Sequence, residues 1–473
     1  MKKQPDKDSE NRIERVINNL LPATSFDGRY ASGKTLQERQ AFYHTPGVSL
    51  AVINNYEIEW ARGFGICEAD TTRPITTSTI FQAGSISKPV FALAILRLVQ
   101  EGRLSLDEDI NTYLTSWHIP ANHGWQPHLT LRHILSHSAG LTVGGFPGYQ
   151  ATEAVPGLVQ VLNGEPPANT PGIEVNILPG LQYRYSGGGT TVAQQLIMDV
   201  LGEPFPEIMR HYVLDPLGMV DSTYEQPLPV SWSTRAATAH PWKSIPLIGK
   251  YHTYPEMAAA GLWTTPTDLA RFGVELLKVL QDRKNPMVVS KDTLEAMLLP
   301  QLADLKTGQG QYCGLGFFCD GKEDDFSFGH GGWDEGFVAI LKLYKNTGQG
   351  AVIMLNSNEG SPMLDELLRA IGVEYGWPKA LVEPKAEIGL ANLMSYTGTY
   401  QSKTGIKFKV SGQKDGLALE FDNQPPLPIA PSSVKEFFSK VTNTTIIFKK
   451  GRKGIIKSMT LIQSGKEIVA EKV

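Results

Sequence analysis

Ser85 and Lys88 stand three residues apart at the head of an apolar run in this 473-residue chain. Residues 84–91 read Gly-Ser-Ile-Ser-Lys-Pro-Val-Phe, and the stretch 88–101 is apolar on nearly every face, the pattern of a buried central helix. Pro89 fits only a first turn, so the helix is expected to begin at about Ser85, with Gly84 at its start. Residues three apart share a helix face, which sets the Lys88 amine beside the Ser85 hydroxyl, near the unpaired N–H groups of the helix start. A serine becomes a nucleophile when a neighbouring base takes its proton, and a lysine can be that base where desolvation favours the neutral amine. The bland alternative is an N-cap serine followed by a solvated lysine. A lysine one turn into an apolar helix argues against it.

Other residue groupings carry less. Five of the ten histidines fall between His118 and His137, and the four-residue spacing of His133 and His137 can chelate zinc. Ile134 stands where the His-Glu-x-x-His motif requires glutamate, so no metal site is assigned. The acidic runs 107–109 and 323–325 read as solvated turns, and the Gly187–Gly189 run lacks the Gly-Lys-Ser/Thr ending of a phosphate loop. No cofactor is called for.

The block Phe81-Gln-Ala-Gly-Ser-Ile-Ser-Lys88 resembles the nucleophile motif of the serine β-lactamase and penicillin-binding-protein superfamily. Within it, the chain looks like the branch of class C β-lactamases, D-alanyl-D-alanine carboxypeptidases, D-aminopeptidases and related esterases. Further blocks match in the family's order: Leu129-Thr-Leu-Arg-His-Ile-Leu-Ser-His-Ser-Ala-Gly-Leu141, Pro179-Gly-Leu-Gln-Tyr-Arg-Tyr-Ser186, Pro216-Leu-Gly-Met219, Ala260-Gly-Leu-Trp-Thr-Thr-Pro-Thr-Asp-Leu-Ala270 and Gly329-His-Gly-Gly332. Together they cover about residues 40–370. The resemblance implies Ser85 as the nucleophile of an acyl-enzyme and Lys88 as its first-turn partner. It places Tyr185 in the family's Tyr-x-Asn motif, where the phenol can shuttle the proton to the leaving group, with Tyr183 as the fallback. Either Lys88 or Tyr185 can serve as the base, and the proton can belong to the coupled pair. His330 stands where relatives carry Lys-Thr-Gly or His-Thr-Gly, on a strand edging the site, and is expected to supply partial positive charge and orientation. The backbone N–H groups of Ser85 and Trp333 would form the oxyanion hole, beside the glycine pair Gly331 and Gly332.

Two departures bear on substrate. Gly187 replaces an asparagine that holds the acylamino group in relatives, and Gly331 replaces a threonine that helps bind the substrate carboxylate. Losing both removes polar recognition worth about 1–3 kcal/mol per hydrogen bond to a charged group. The chain is therefore read as an ester or amide/peptide hydrolase acting on a small-molecule or short-peptide acyl substrate. The alternatives are a D-alanyl-D-alanine carboxypeptidase or D-aminopeptidase, a class C-type β-lactamase, and a penicillin-binding or scaffolding protein without turnover.

The elements that must position these residues fit an α+β fold. The length suggests two domains, and 41% apolar with 19% charged residues suits a chain able to bury a large core. A net charge of −4 gives no reason to expect nucleic acid or an anionic membrane as partner, and the sequence does not set the oligomeric state. Three scattered cysteines (Cys67, Cys313, Cys319) make no disulfide framework, although a Cys313–Cys319 bridge is conceivable on spacing. Charged residues follow Met-Lys-Lys where a signal peptide needs an apolar stretch, so the sequence as it stands reads as cytoplasmic, or as periplasmic or secreted if a leader was removed.

Residues 1–40 read as an N-terminal tail, unstructured over 1–10, followed by a short helix ended by Pro22. Residues 41–376 form the β-lactamase-like hydrolase domain, an antiparallel sheet flanked by helices with an all-helical subdomain beside it. Strands are expected at 48–53, 57–64, 312–318, 336–343 and 351–356, and helices at 267–279 and 364–375. Strands at both ends with helices between predict a sheet whose edges lie far apart in sequence, with the site in the crevice. Residues 377–388 read as a linker. Residues 389–473 carry six short alternating runs and many lysines, as in a small antiparallel β-barrel, and the Tyr396-Thr-Gly-Thr-Tyr400 start resembles the lipocalin-like domain of some relatives.

Overall fold

A computed structural model of the chain describes residues 7–21, 33–302, 307, 311–378, 393–413, 416–422, 424–431, 433–439, 444–451, 455–463 and 466–473. Two compact units emerge. One comprises Met1–Ile13, Gln37–Lys306 and Gln311–Leu364, and the other Glu14–Leu36, Thr307–Gly310 and Asp365–Val473.

The first unit is built on a seven-stranded antiparallel sheet. Strands β1 (Gly47–Asn54) and β2 (Glu57–Gly65) form a hairpin. Its two-residue loop, Asn55 and Tyr56, takes the left-handed conformation that such tight turns require. Two short strands, β3 (Phe81–Gln82) and β4 (Trp263–Thr264), pair separately and lead into the site. The rest of the sheet is β5 (Tyr312–Cys313), β6 (Phe318–Asp320), β7 (Ser327–Asp334), β8 (Phe337–Tyr344) and β9 (Gln349–Leu355). The order β2-β1-β9-β8-β7-β6-β5 seats the N-terminal hairpin against the C-terminal strand, as the pattern of distant strands predicted. The helix Pro266–Leu280, capped by Thr265, covers the sheet, with Gly273 in contact with Ile53 and Leu343. The helix Ser87–Gln100 is buried almost throughout its length.

Three expectations shift. The run 312–318 is not one strand but the hairpin β5–β6, because the chain reverses through Gly314 and Gly316, the latter at φ +86°. Cys313 pairs with Phe318 and Cys319 with Tyr312, so the two thiols face opposite sides of the ribbon and remain free, as does Cys67. Finally, residues 7–10, read as unstructured, belong to a helix over Lys7–Ile17 with Asp8 and Glu10 in its first turn.

In the second unit eight strands close into an antiparallel barrel: β10 (Gly398–Ser402), β11 (Lys407–Gln413), β12 (Gly416–Phe421), β13 (Leu427–Pro431), β14 (Glu436–Ser439), β15 (Thr444–Lys450), β16 (Ile456–Gln463) and β17 (Lys466–Lys472). Alternate residues, among them Tyr400, Phe408, Phe437 and Phe448, pack its interior. Strands β13 and β14 escape the sequence pattern, the first carrying Pro428 and Pro431 and the second only four residues long. From residue 379 onward the expected linker lies outside the described residues.

Candidate active site

Ser85 sits in a 3-10 turn, Gly84–Ile86, that leads into the helix Ser87–Gln100. The sequence placed Ser85 in the first α-helical turn; the tighter turn arises because Gly84 adopts φ +51°. A side chain there would strike the main chain of Trp333, with a Cβ only 2.5 Å from its nitrogen. The glycine thus lets the nucleophile turn lie against β7. Ser87 ties the turn down, its hydroxyl donating to Gly84 O at 2.6 Å and accepting from Leu262 N at 3.0 Å.

Lys88 is 4% exposed. Its Nζ stands 3.0 Å from Ser85 Oγ and donates to the Ala259 carbonyl at 2.7 Å. The carbonyl fixes the amine, and the serine hydroxyl lies within proton-transfer distance of it. The amine also stands 5.0 Å from the centre of the Tyr185 ring.

Tyr185 is held in place by Ser186 and by the ring of His137. Ser186 caps the helix Gly187–Leu201, its Oγ accepting from Gly189 N at 2.9 Å and donating to Thr142 O at 2.8 Å. His137 Nδ1 accepts the Ser186 N–H at 3.2 Å, and its ring lies 4.3 Å from the Tyr185 ring. Burial and the nearby Lys88 hold His137 well below the usual histidine range, so it acts as a neutral acceptor and a packing surface. The sequence read His137 only as a weak metal candidate. Its place in the Ser-His-Ser-Ala-Gly stretch, beside the tyrosine motif, becomes meaningful once the Ser186 contact is seen. The proton-shuttling role implies the Tyr185 hydroxyl within about 3–4 Å of Ser85 and Lys88. Instead the lysine faces the ring, its donors already directed to Ser85 and Ala259. Tyr183, the fallback, is half-buried against Phe318 and His137, and burial drives its hydroxyl far above the usual phenol range.

These groups open into a cleft of about 410 Å³. Ser85, Lys88 and Tyr185 line it together with Phe146, Pro147 and the segment Trp333–Glu335. The pairing of β6 with β7 stops at Gly329, so the second half of β7 borders the cleft, as an edge would. Gly332 makes the approach possible, because a Cβ there would lie 2.0 Å from the Ala83 carbonyl oxygen. Ser85 and Trp333 are thus brought together on the same cleft, the arrangement an oxyanion hole requires.

Three predicted roles need correction. His330 does not supply positive charge: burial pushes it down to about 3, with Lys88 adding to the effect, so the ring is neutral. Its Nδ1–H donates to Gly331 O, leaving Nε2 as a buried lone pair without a partner among the described residues. The ring instead packs behind Tyr185 and Phe318. Gly187 lies behind the cleft wall, its N–H donating to Gly144 O at 3.0 Å and its Cα against the Phe146 ring. Neither Gly331 nor Gly332 lines the cleft, although Gly331 is exposed and has room for a side chain.

Sequence reasoning missed three contributors: the Ala259 carbonyl, and the side chains Asp334 and Glu335. The first lies one residue before a family block; the other two directly follow the predicted oxyanion residue. Asp334 is 1% exposed and accepts the Gly84 N–H. Burial drives its carboxyl well above the usual carboxylate range, although Lys88 and the Gly84 N–H act the other way.

The chain is 22% identical over 461 residues to penicillin-binding protein 4* of Bacillus subtilis, covering 92% of this chain and 96% of that protein. It is 27% identical over 187 residues to esterase EstB of Burkholderia gladioli, covering 37% and 46% respectively. The octameric penicillin-binding protein homologue from Pyrococcus abyssi shares the fold, with a TM-score of 0.62 at 20% identity over 92% of this chain and 98% of that one. The Beta-lactamase family profile matches residues 33–376, and the chain belongs to the β-lactamase family of serine hydrolases and penicillin-binding-protein relatives.

Proposed function

We propose that the protein is a serine hydrolase that cleaves an ester or amide bond of a small-molecule or short-peptide acyl donor through an acyl-enzyme on Ser85. The observation that carries this reading is the Ser85–Lys88 pair, 3.0 Å apart in a cleft that Tyr185 and Trp333 also line. Ser85 Oγ attacks the acyl carbon while its proton passes to the Lys88–Tyr185 pair. The developing oxyanion accepts from the backbone N–H groups of Ser85 and Trp333. Collapse breaks the bond to the leaving alcohol or amine, which takes the proton, and water then hydrolyses the acyl-serine by the reverse roles. His330, being neutral, contributes by packing Tyr185.

Position 187 lies behind the cleft wall, whereas Gly331, exposed and with room for a side chain, lacks the hydroxyl that would help bind a β-lactam carboxylate, which favours a different acyl donor over efficient penicillin turnover. Intact-mass labelling with a fluorophosphonate and with a penicillin, on wild type and Ser85→Ala, tests the mechanism. A Ser85-dependent adduct is expected. Absence of any such adduct with both reagents sinks the proposal, and a penicillin adduct that never turns over replaces hydrolysis with stable capture. Rates on short p-nitrophenyl esters, nitrocefin and D-amino-acid amides then rank the substrates, and fast nitrocefin hydrolysis refutes the reading of Gly331.

A further inference from the structure

The turn that carries Ser85 and the strand that carries Trp333 must hold two backbone N–H groups in one alignment. Gly84 and Gly332 let turn and strand touch, but close approach alone does not fix their relative position. Gly84 is the first residue of its 3-10 turn, so the turn itself offers no carbonyl to its N–H. The carboxyl of Asp334 accepts that N–H instead. The bond joins the residue before Ser85 to the residue after Trp333, and so ties the two halves of the oxyanion hole at their neighbours in the chain.

Asp334 can hold the turn because it is itself held. It ends β7 and pairs with Phe337 across the tight turn into β8. Within that turn the Glu335 N–H donates to Tyr254 OH at 3.0 Å and the Gly336 N–H to Asn358 Oδ1 at 2.8 Å. A Cβ at Gly336 would lie 2.5 Å from Ala239 Cβ, so the turn is seated directly on a neighbouring segment. Asp334 is 1% exposed, and its Oδ2 has no partner among the described residues. Burying an acid in this way costs stability that a leucine of similar shape would not. Packing alone is therefore a poor reason for an acid here, whereas accepting the Gly84 N–H is a specific one.

We propose that Asp334 is a positioning residue of the reaction: its carboxyl fixes Gly84, and through Gly84 the Ser85 N–H, against the Trp333 N–H, so that both meet the oxyanion together. The inference rests on the acyl-enzyme reading of Ser85 and adds to it a group that acts through the backbone and not on the substrate. Burial favours the protonated carboxyl, against the pull of Lys88 and the Gly84 N–H, which keeps negative charge away from the developing oxyanion. An asparagine, neutral and with a carbonyl oxygen in the same place, should serve equally; a leucine should not.

The test compares Asp334→Asn, Asp334→Leu and Asp334→Ala with wild type. Three quantities are read: kcat/KM on a short p-nitrophenyl ester, Tm, and the affinity of phenylboronic acid, whose tetrahedral serine adduct sets an oxygen in the oxyanion hole. A misplacement of about 1 Å can cost about a hundredfold in rate. The leucine and alanine variants are expected to lose about ten- to a hundredfold in kcat/KM and at least about tenfold in boronic-acid affinity, and the asparagine variant to restore both to within about threefold. A folded leucine or alanine variant within about threefold of wild type overturns the proposal, as does an asparagine variant no better than these two. Losses that simply follow Tm across the three variants, or failure of both leucine and alanine variants to fold, mark Asp334 as structural and overturn it too. Fluorophosphonate labelling of wild-type Ser85 is read in parallel. No labelling removes the hydrolase reading, whereas labelling with unchanged activity in the leucine variant removes only the role of Asp334.

Discussion

Adding one methyl group at Gly332 tests whether β7 and the nucleophile turn jointly hold the oxyanion. A Cβ at Gly332 would lie 2.0 Å from the Ala83 carbonyl oxygen and 3.0 Å from its carbon, where ordinary contact begins at 3.4 Å. The obstructing atoms are backbone, so no side chain can swing aside; the strand and the turn must part by more than an ångström. Ala83 is itself anchored, its N–H donating to Leu262 O at 2.8 Å, which pushes the displacement onto β7 and its Trp333 N–H. Loss of one oxyanion donor costs about 10²–10³ in rate, or about 2.7–4 kcal/mol of transition-state stabilisation. Overpacking of this kind also costs about 1–3 kcal/mol of stability. Gly332→Ala should therefore lower kcat/KM on a short p-nitrophenyl ester by about two to three orders of magnitude while the protein still folds, with a reduced Tm. Gly331→Ala, whose Cβ meets nothing nearer than 3.9 Å, should lose far less. A folded Gly332→Ala enzyme within about threefold of wild-type kcat/KM would refute the pairing of Ser85 and Trp333 as the oxyanion hole.

Five further substitutions, at Lys88, Tyr185, Tyr183 and Glu256, probe the surrounding groups. Lys88→Met should slow fluorophosphonate labelling of Ser85 by about 10²–10⁴, the range for losing a positioned base. Lys88→Arg should not restore it, since a guanidinium has no acceptor; labelling at a near wild-type rate in either variant would remove Lys88 from the mechanism. Tyr185→Phe should reduce kcat by a similar factor with the circular-dichroism spectrum unchanged, whereas Tyr183→Phe should change it little; the opposite ranking would show that the tyrosine motif had been misaligned. Glu256 is fully buried, both its carboxyl oxygens lack partners among the described residues, and burial pushes it up to about 8. Between pH 4.5 and about 8 the unfolded chain sheds this proton and the folded one keeps it, so stability falls as pH rises, by up to about 1.4 kcal/mol per pH unit. Glu256→Gln should flatten that slope in urea unfolding at pH 5 and pH 7.5; parallel pH dependences in the two proteins would exclude the buried acid as its source.

What could be read from the chain divides by the range of the interaction. Ser85 and Lys88 are legible because an i, i+3 spacing and an apolar helix are local facts, and the 3.0 Å separation needs nothing from elsewhere. Gly84 was legible as a helix start but not as a left-handed residue, because that conformation answers to Trp333, some 250 residues away in sequence. The glycines at 187–189 show the same limit. Gly187 was read as a lost substrate contact, yet Cβ atoms at Gly187 and Gly188 would crowd the carbonyls of Gly144 and Thr142, so the run is there to seat a helix against a neighbouring segment. His330 is the sharpest case: a histidine in a motif suggests charge, and only burial beside Lys88, Tyr185 and Phe318 reveals that it is neutral. In the barrel, alternation exposed six strands, but Pro428 and Pro431 hid one whose pairing with β12 and β14 is set by closure and not by propensity. Local pattern thus located the nucleophile, while Asp334 and Glu335 join its cleft only through the packing of β7 against the turn. Selectivity in this site is therefore expected to respond more strongly to changes along residues 333–335, which line the cleft, than to changes in the nucleophile helix, which sets the chemistry.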